Sequence, residues 1–443
     1  MASEPIDVGT VLDTRPWNGY QKLLVGFVAA TIVLDGADTQ LLGVAIPALM
    51  NDWSVPRAAL APVLASGMIG MMAGGAIAGL VGDRYGRKTA LLGSVVVFSA
   101  FTLAAAAVDG TVALGTLRFL AGLGLGGAMP NAAALASEFV PTGQRAMAVT
   151  LAIVSVPVGG MLAAGVAELV LPVLGWRMLF VAGGTLPLVV VAALARVLPE
   201  SPRYLARHPH RRTELARLLR RFGHDIPPDA TFVDRSEGRS KRASLPALFE
   251  PAVRRDTLAL WVAFFVNLLA VYACFNWVPA MLAGAGFGAS ASRGLLAFNL
   301  GGVVGALAGA RILSRMGSRP SLLGLAAAAV AVLLLMAASP LEASAQTPVF
   351  VMLVLAGGLL NTVQIMMYSL AVHVYPTSMR ATGLGSALAV GRSGAVFSTY
   401  AGEWALAAGG STAFFGLVAA AMATVFAALS VVERHIPRGT RER

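Results

Sequence analysis

The sequence predicts an all-α integral membrane protein: twelve transmembrane helices in two six-helix bundles, with both termini cytoplasmic. Three observations carry this. First, 57% of the 443 residues are hydrophobic and only 12% are charged, about half the roughly 25% of an ordinary soluble domain. A soluble fold of this length could not hide so much apolar surface. Second, the apolar residues fall in long runs without the alternation of barrel strands, and in lipid a non-barrel backbone must be helical. Third, twelve spans of roughly 20 residues need about 240 positions, which the chain supplies with room for loops.

Taken in order, residues 1–21 are polar, lack a cleavable signal-peptide pattern and read as a cytoplasmic segment. Apolar runs follow at 22–48, 59–82, 88–107, 111–136, 146–170 and 175–198, a first bundle over 22–198. A second set at 257–283, 290–313, 320–338, 347–374, 381–407 and 411–432 makes a bundle over 257–432, with 433–443 as a cytoplasmic tail. Runs longer than about 20 residues tilt or protrude.

The middle segment 199–256 is basic, with Arg203, Arg207, Arg211, Arg212, Arg217, Arg220 and Arg221, then Arg235, Arg239, Lys241, Arg242, Arg254 and Arg255. Other connections on that side carry Arg84, Arg87, Lys88, Arg145, Arg315, Arg319 and Arg380, whereas the opposite loops carry little beyond Arg57 and Arg293. Excess Lys and Arg marks the cytoplasmic side. The net charge of +11 therefore reads as topology, and no nucleic-acid partner is expected. Leu215, Leu218, Leu219 and Phe222 recur at helical spacing among arginines. They read as an amphipathic helix on the inner membrane surface or as a loosely ordered basic linker.

The two halves echo one another. Pro141-Thr142-Gly143-Gln144-Arg145-Ala146 returns 235 positions later as Pro376-Thr377-Ser378-Met379-Arg380-Ala381. Asp83-Arg84-Tyr85-Gly86-Arg87-Lys88 is weakly echoed by Ser314-Arg315-Met316-Gly317-Ser318-Arg319. A six-plus-six parallel repeat with a long middle loop is the layout of a two-bundle secondary transporter.

Ionisable residues inside the runs are the candidate site, because charge at membrane depth needs a partner or a cavity. Asp35 and Asp38 in the first run share a helix face. Two carboxylates so close and so deep suit proton carriage, since each favours a proton on the other; a structural pairing is the alternative. Arg118 lies roughly 10 Å inside the outer edge and Asp38 roughly 15 Å, by helical rise. An ion pair and anion binding by Arg118 are both compatible with these depths. Arg392 is roughly 16 Å from the inner edge, where its planar fork would match a substrate carboxylate or an internal acid such as Glu403. Asn276 and Trp277, with Gln364 and Tyr368, add amides and rings able to hold a flat organic acid. Glu168, near an outer end, reads as solvated.

Three further signals are weaker. Gly122-x-Gly124-x-x-Gly127 fits a dinucleotide fingerprint, but that motif needs a preceding strand, and here the glycines lie in an apolar run where close helix packing explains them. The single cysteine, Cys274, permits no intrachain disulfide or cysteine-cluster metal site. No cofactor and no metal is expected. Nor does a nucleophile–base set appear, so the chain does not read as an enzyme.

Gly79-x-x-x-Asp83-Arg84-Tyr85-Gly86-Arg87-Lys88 resembles the signature loop of the major facilitator superfamily. Gly79 would let two helices approach closely, and Asp83, Arg84, Gly86 and Arg87 would gate. Asp35-Gly36-Ala37-Asp38-Thr39-Gln40, the stretch Arg118 to Asn131, Asn276-Trp277-Val278-Pro279 and Arg380-Ala381-Thr382-Gly383 with Gly391-Arg392 resemble its aromatic acid:proton symporters. The resemblance implies uptake of a benzoate, hydroxybenzoate or hydroxyphenylpropionate with protons. A monomer in the inner cell membrane, in contact with lipid, is the expected setting. The resemblance also implies functional roles for Asp35, Asp38, Arg118 and Arg392, and gate positions at Asp83, Glu138 and Arg380, with Arg145 beside Glu138. Ser314 stands where the family commonly has an acid, so the second-half loop is a poor gate. Efflux of a drug or organic anion, or a transporter-like receptor, are the rival expectations. Pro157-x-Gly159-Gly160 does not fit the Gly-Pro-x-x-Gly-Gly pattern of many antiporters.

Overall fold

The computed structural model describes residues 5–227, 230–234, 245–376 and 379–438. Arg235, Arg239, Lys241 and Arg242 of the basic segment, and Thr377 and Ser378 of the repeat, lie outside the described residues. Thirteen α-helices are present among those described: α1 (Val8–Asp13), α2 (Gly19–Trp53), α3 (Ala61–Tyr85), α4 (Arg87–Ala105), α5 (Thr111–Glu138), α6 (Arg145–Val197), α7 (Pro202–Ala206), α8 (Arg212–Arg221), α9 (Arg254–Gly284), α10 (Ala291–Met316), α11 (Ser318–Ala338), α12 (Gln346–Val374) and α13 (Arg380–Val431). Ten of the helical segments are long and apolar enough to cross a membrane.

Two of those ten are about twice the necessary length, and both are broken by glycine. Within α6 the helix turns at Gly175 (φ 73°, ψ −179°). Within α13 it turns at Gly409 and Gly410, the latter at φ 60°, ψ −142°. A positive φ strains any residue with a Cβ, so glycine lets each of these long helices kink without a loop. The α13 break lies within the gap between apolar runs at 408–410, and the α6 break at Gly175 directly follows the gap at 171–174.

In the first half, α2 packs mainly on α6, and α5 on α3 and α4; in the second, α13 packs on α9 and α11, and α12 on α10. Of the glycines that read falsely as a nucleotide fingerprint, Gly122 packs on α3, Gly124 on α4 and Gly127 on both, and Gly70 and Gly74 answer from α3. A Cβ on Gly70 or Gly74 would collide with the Phe119 or Leu123 carbonyl, and one on Gly122 with the Gly67 carbonyl. Gly79 does not share this role. A Cβ there would meet nothing within 4 Å, so the expected close approach belongs to its neighbours.

The basic middle segment folds back onto the first half. Leu215, Leu218, Leu219 and Phe222 are buried in one apolar cluster with Val8, Leu12, Leu24 and Phe139. The Phe222 ring meets Phe139 edge-on at 6.3 Å. This corrects the expectation of a helix lying on lipid: the apolar stripe of α8 is covered by protein. The N-terminal segment completes the clasp. Strands β1 (Ile6–Asp7) and β2 (Phe232–Val233) pair in parallel, and the Asn18 side chain, which caps α2, donates to the Arg221 carbonyl at 2.9 Å.

Candidate functional site

The first carboxylate pair is split by its surroundings. Asp38 is 2% exposed, with Arg118 Nη1 3.3 Å from its Oδ2. The Thr102 hydroxyl donates to Asp38 Oδ1 at 2.6 Å and accepts from Arg118 Nη2 at 2.5 Å. The guanidinium also lies 5.1 Å over the Phe180 ring. Helices α2, α4 and α5 thus close a triad in which a buried charge is both paired and hydrogen-bonded, as burial demands. Asp35, one turn away and 4% exposed, has no such company. Its Oδ1 is buried without a hydrogen-bond partner among the described residues.

Arg392 in α13 faces this region across the two halves. Its Nη1 donates to the Met71 carbonyl of α3 at 3.2 Å, and Glu403 is not its partner. The guanidinium takes the space beside Gly75, where a Cβ would strike Nη1. Asp35 is within electrostatic reach of Arg392 and Asp38, and Tyr272 within reach of Arg392, Asp35 and Tyr368. A cavity of about 20 Å³ borders Asp38, Thr39, Met71 and Arg118, room for a water but not for an aromatic ring.

The amides lie close by. Asn267 Nδ2 donates to Gln364 Oε1 at 2.7 Å, and Tyr368 is within reach of both Gln364 and Arg392. Asn276 is fully buried, yet neither side-chain polar atom has a partner among the described residues. Trp277 departs from expectation. Its Nε1 donates to the Thr399 carbonyl at 3.1 Å and its ring fills the space beside Gly402, so it fastens α9 to α13. Asn361 bonds back to the Gly357 carbonyl at 2.9 Å.

At the α3–α4 turn, Arg87 meets Asp83 at 2.6 Å and Glu138 at 3.8 Å. Ser201 Oγ donates to Glu138. Glu200 Oε1 accepts from the backbone N–H of Lys88 at 2.9 Å and of Ser201 at 2.8 Å. Gly86, at φ 102°, leaves the space that the Glu200 carboxylate occupies. The Tyr204 hydroxyl donates to the Arg84 carbonyl at 3.3 Å. Arg145 is within electrostatic reach of Glu138, Asp13 and Asp234. Arg380 is exposed and outside this cluster. At the opposite end, Glu168 is not solvated alone: Arg293 Nε donates to it at 2.6 Å, joining α10 to α6. A buried amide pair also crosses the halves, Asn299 Nδ2 to Gln40 Oε1 at 2.7 Å with a 3.3 Å return bond.

Sequence reasoning passed over Thr102, Asn267, Asn299 and the capping role of Glu200. The three amides Gln40, Asn267 and Asn299 carried the signal used for Asn276, a polar group in an apolar run. Thr102 carried none, since threonine is common in such runs.

A family model described as Major Facilitator Superfamily matches residues 28–399. The chain belongs to the Major Facilitator Superfamily. Superfamily membership makes it a multi-pass membrane transporter and not an enzyme. Its relatives include a gallate transporter of Pseudomonas putida, 34% identical over 91% of this chain and 90% of that protein. A 4-hydroxybenzoate transporter of Pseudomonas aeruginosa is 34% identical over 92% and 91% of the two chains. Among solved structures, the xylose transporter XylE of E. coli superposes with a TM-score of 0.70 at 16% identity, covering 93% of this chain and 97% of that one. It shares the superfamily fold.

Proposed function

We propose that this transporter carries an aromatic carboxylic acid of the benzoate, hydroxybenzoate or hydroxyphenylpropionate class into the cell together with protons. In this reading the halves 22–198 and 257–432, joined by the basic segment 199–256, alternate access to a central site. Each glycine-broken helix crosses twice, making twelve spans, and both chain ends lie on the arginine-rich cytoplasmic side. The protein works as a monomer in lipid.

The observation that carries the reading is the division of charge. Asp38 and Arg118 neutralise each other, whereas among the described residues Arg392 hydrogen-bonds a backbone carbonyl alone and Asp35 lies within its field. Arg392 is the cation free to hold a substrate carboxylate, and Asp35 the acid free to carry the proton. Asp38, Arg118 and Thr102 set the height and orientation of α2 beside them. Acid and proton bind from outside, the halves rock, and release follows deprotonation to the cytoplasm. The cluster of Asp83, Arg87 and Glu138 braces the inner end of the first half as the halves move. The two aromatic-acid transporters among its relatives support the substrate class.

Uptake of labelled benzoate and 4-hydroxybenzoate into membrane vesicles tests this. Accumulation is expected when the outside is made acidic and only equilibration without a gradient. Equal accumulation in both cases excludes proton coupling, and uptake of neither acid excludes the substrate class. Gly75→Ala probes the Arg392 seat. The flexible guanidinium must yield to the new methyl, so the fold should hold while the Km for the acid rises about fivefold, roughly 1 kcal/mol of binding, with the maximal rate kept. An unchanged Km would show that the seat is not used.

A further inference from the structure

The proton and the carboxylate leave buried amides unexplained among the described residues, Asn276 and the bonded pair of Asn267 and Gln364, and the pair is the one that adjoins Arg392. Asn267 is fully buried and Gln364 is 7% exposed. Their mutual bond uses one N–H and one carbonyl oxygen. Asn267 Oδ1 and Gln364 Nε2 are left buried with no partner among the described residues. Reversing both amides would leave the same complement, one acceptor and one donor side by side. Buried polar groups are nearly always satisfied, so a pair that does no more than fasten α9 to α12 has no reason to hold two spare bonding sites.

Arg392 sits at the same height. Gly391, its neighbour in α13, is pressed against the Leu268 side chain and the Phe264 backbone, on either side of Asn267. The Phe264 and Tyr368 rings meet at 5.6 Å, and Tyr368 is within reach of both Arg392 and Gln364. An aromatic pair therefore adjoins the amides within the field of the guanidinium. A phenol hydroxyl donates one hydrogen bond and accepts another, the complement of what the pair leaves free.

Resting on the reading of an aromatic acid held at Arg392, we propose that the Asn267–Gln364 pair receives a hydroxyl on the ring of that acid, so that the transporter selects hydroxylated over unsubstituted aromatic acids. An unsubstituted ring placed there would leave both amide groups unpaired, and sites built to bond a hydroxyl reject the analogue that lacks it.

The test compares labelled benzoate, 3-hydroxybenzoate and 4-hydroxybenzoate as separate substrates in vesicles with an imposed pH gradient. Wild type should take up at least one hydroxybenzoate about tenfold or more efficiently than benzoate. Gln364→Met and Asn267→Leu, close to the native side chains in size, should bring the ratio near one by lowering uptake of the hydroxybenzoate far more than uptake of benzoate. An unchanged ratio in both variants overturns the proposal. Because either variant can fail to fold, the same acids are also compared on purified wild type by the rise in unfolding temperature they produce. Equal stabilisation by benzoate and both hydroxybenzoates overturns the proposal without any variant. Uptake of benzoate as efficient as that of the hydroxybenzoates overturns it and leaves the aromatic-acid reading intact, whereas uptake of none overturns both.

Discussion

Replacement of Asp35 by asparagine is expected to abolish accumulation driven by a pH gradient while leaving counterflow of the acid measurable. Asparagine matches the carboxylate in size and keeps one carbonyl oxygen, but it does not exchange a proton near neutral pH. Asp35 Oδ1 has no hydrogen-bond partner among the described residues, so the change breaks no bond there. Asp38→Asn should behave differently. It removes the charge that faces Arg118 at 3.3 Å, and breaking a buried pair from one side costs about 3–5 kcal/mol. Gradient-driven accumulation and thermal unfolding of the purified protein separate the two. Asp35→Asn should lose the first and keep the second, whereas Asp38→Asn should lower the second. Full accumulation by Asp35→Asn would end its role as proton carrier.

Arg392→Lys should keep the positive charge and still damage recognition. Guanidinium offers parallel donors in a fixed plane, and ammonium is a compact point charge on a flexible stem. Losing one charge-assisted hydrogen bond to the carboxylate costs about 1.5–3 kcal/mol, or roughly 10- to 100-fold in affinity. The bond from Nη1 to the Met71 carbonyl weakens as well, since lysine is shorter. Binding of the acid to purified protein checks this directly. Unchanged affinity would place the carboxylate elsewhere, with Arg118 the next candidate.

The spans were legible because lipid enforces one physical rule, that apolar length must be helical. Even the two loop-free kinks left a trace, in the glycines at 175, 409 and 410. The deep charges were legible for the same reason: Asp35, Asp38, Arg118 and Arg392 stand out against apolar neighbours, and the structure brings all four to one region. Which charge meets which was not legible. Arg118 and Asp38 had compatible depths, but the choice between them and Asp35 depends on the angular setting of α2 against α4, where Thr102 waits. The dual nature of indole hid Trp277, since a ring at membrane depth suits a ligand and a helix seam alike. Composition misled at α8. An arginine-rich helix with a leucine stripe looks the same whether lipid or protein covers the stripe, and here Phe139 and Val8 cover it.

The two halves are fastened, at the end away from the Asp83 turn, by bonds of opposite electrical character. Arg293–Glu168 is charged and partly wetted, and salt weakens an exposed ion pair of this kind. Gln40–Asn299 is neutral and sealed from water, and no electrolyte reaches it. Changes in the surrounding medium can slacken the rim while the inner bolt stays shut. Whatever draws that bolt must therefore act in the interior, and in the proposed cycle the cargo is what arrives there.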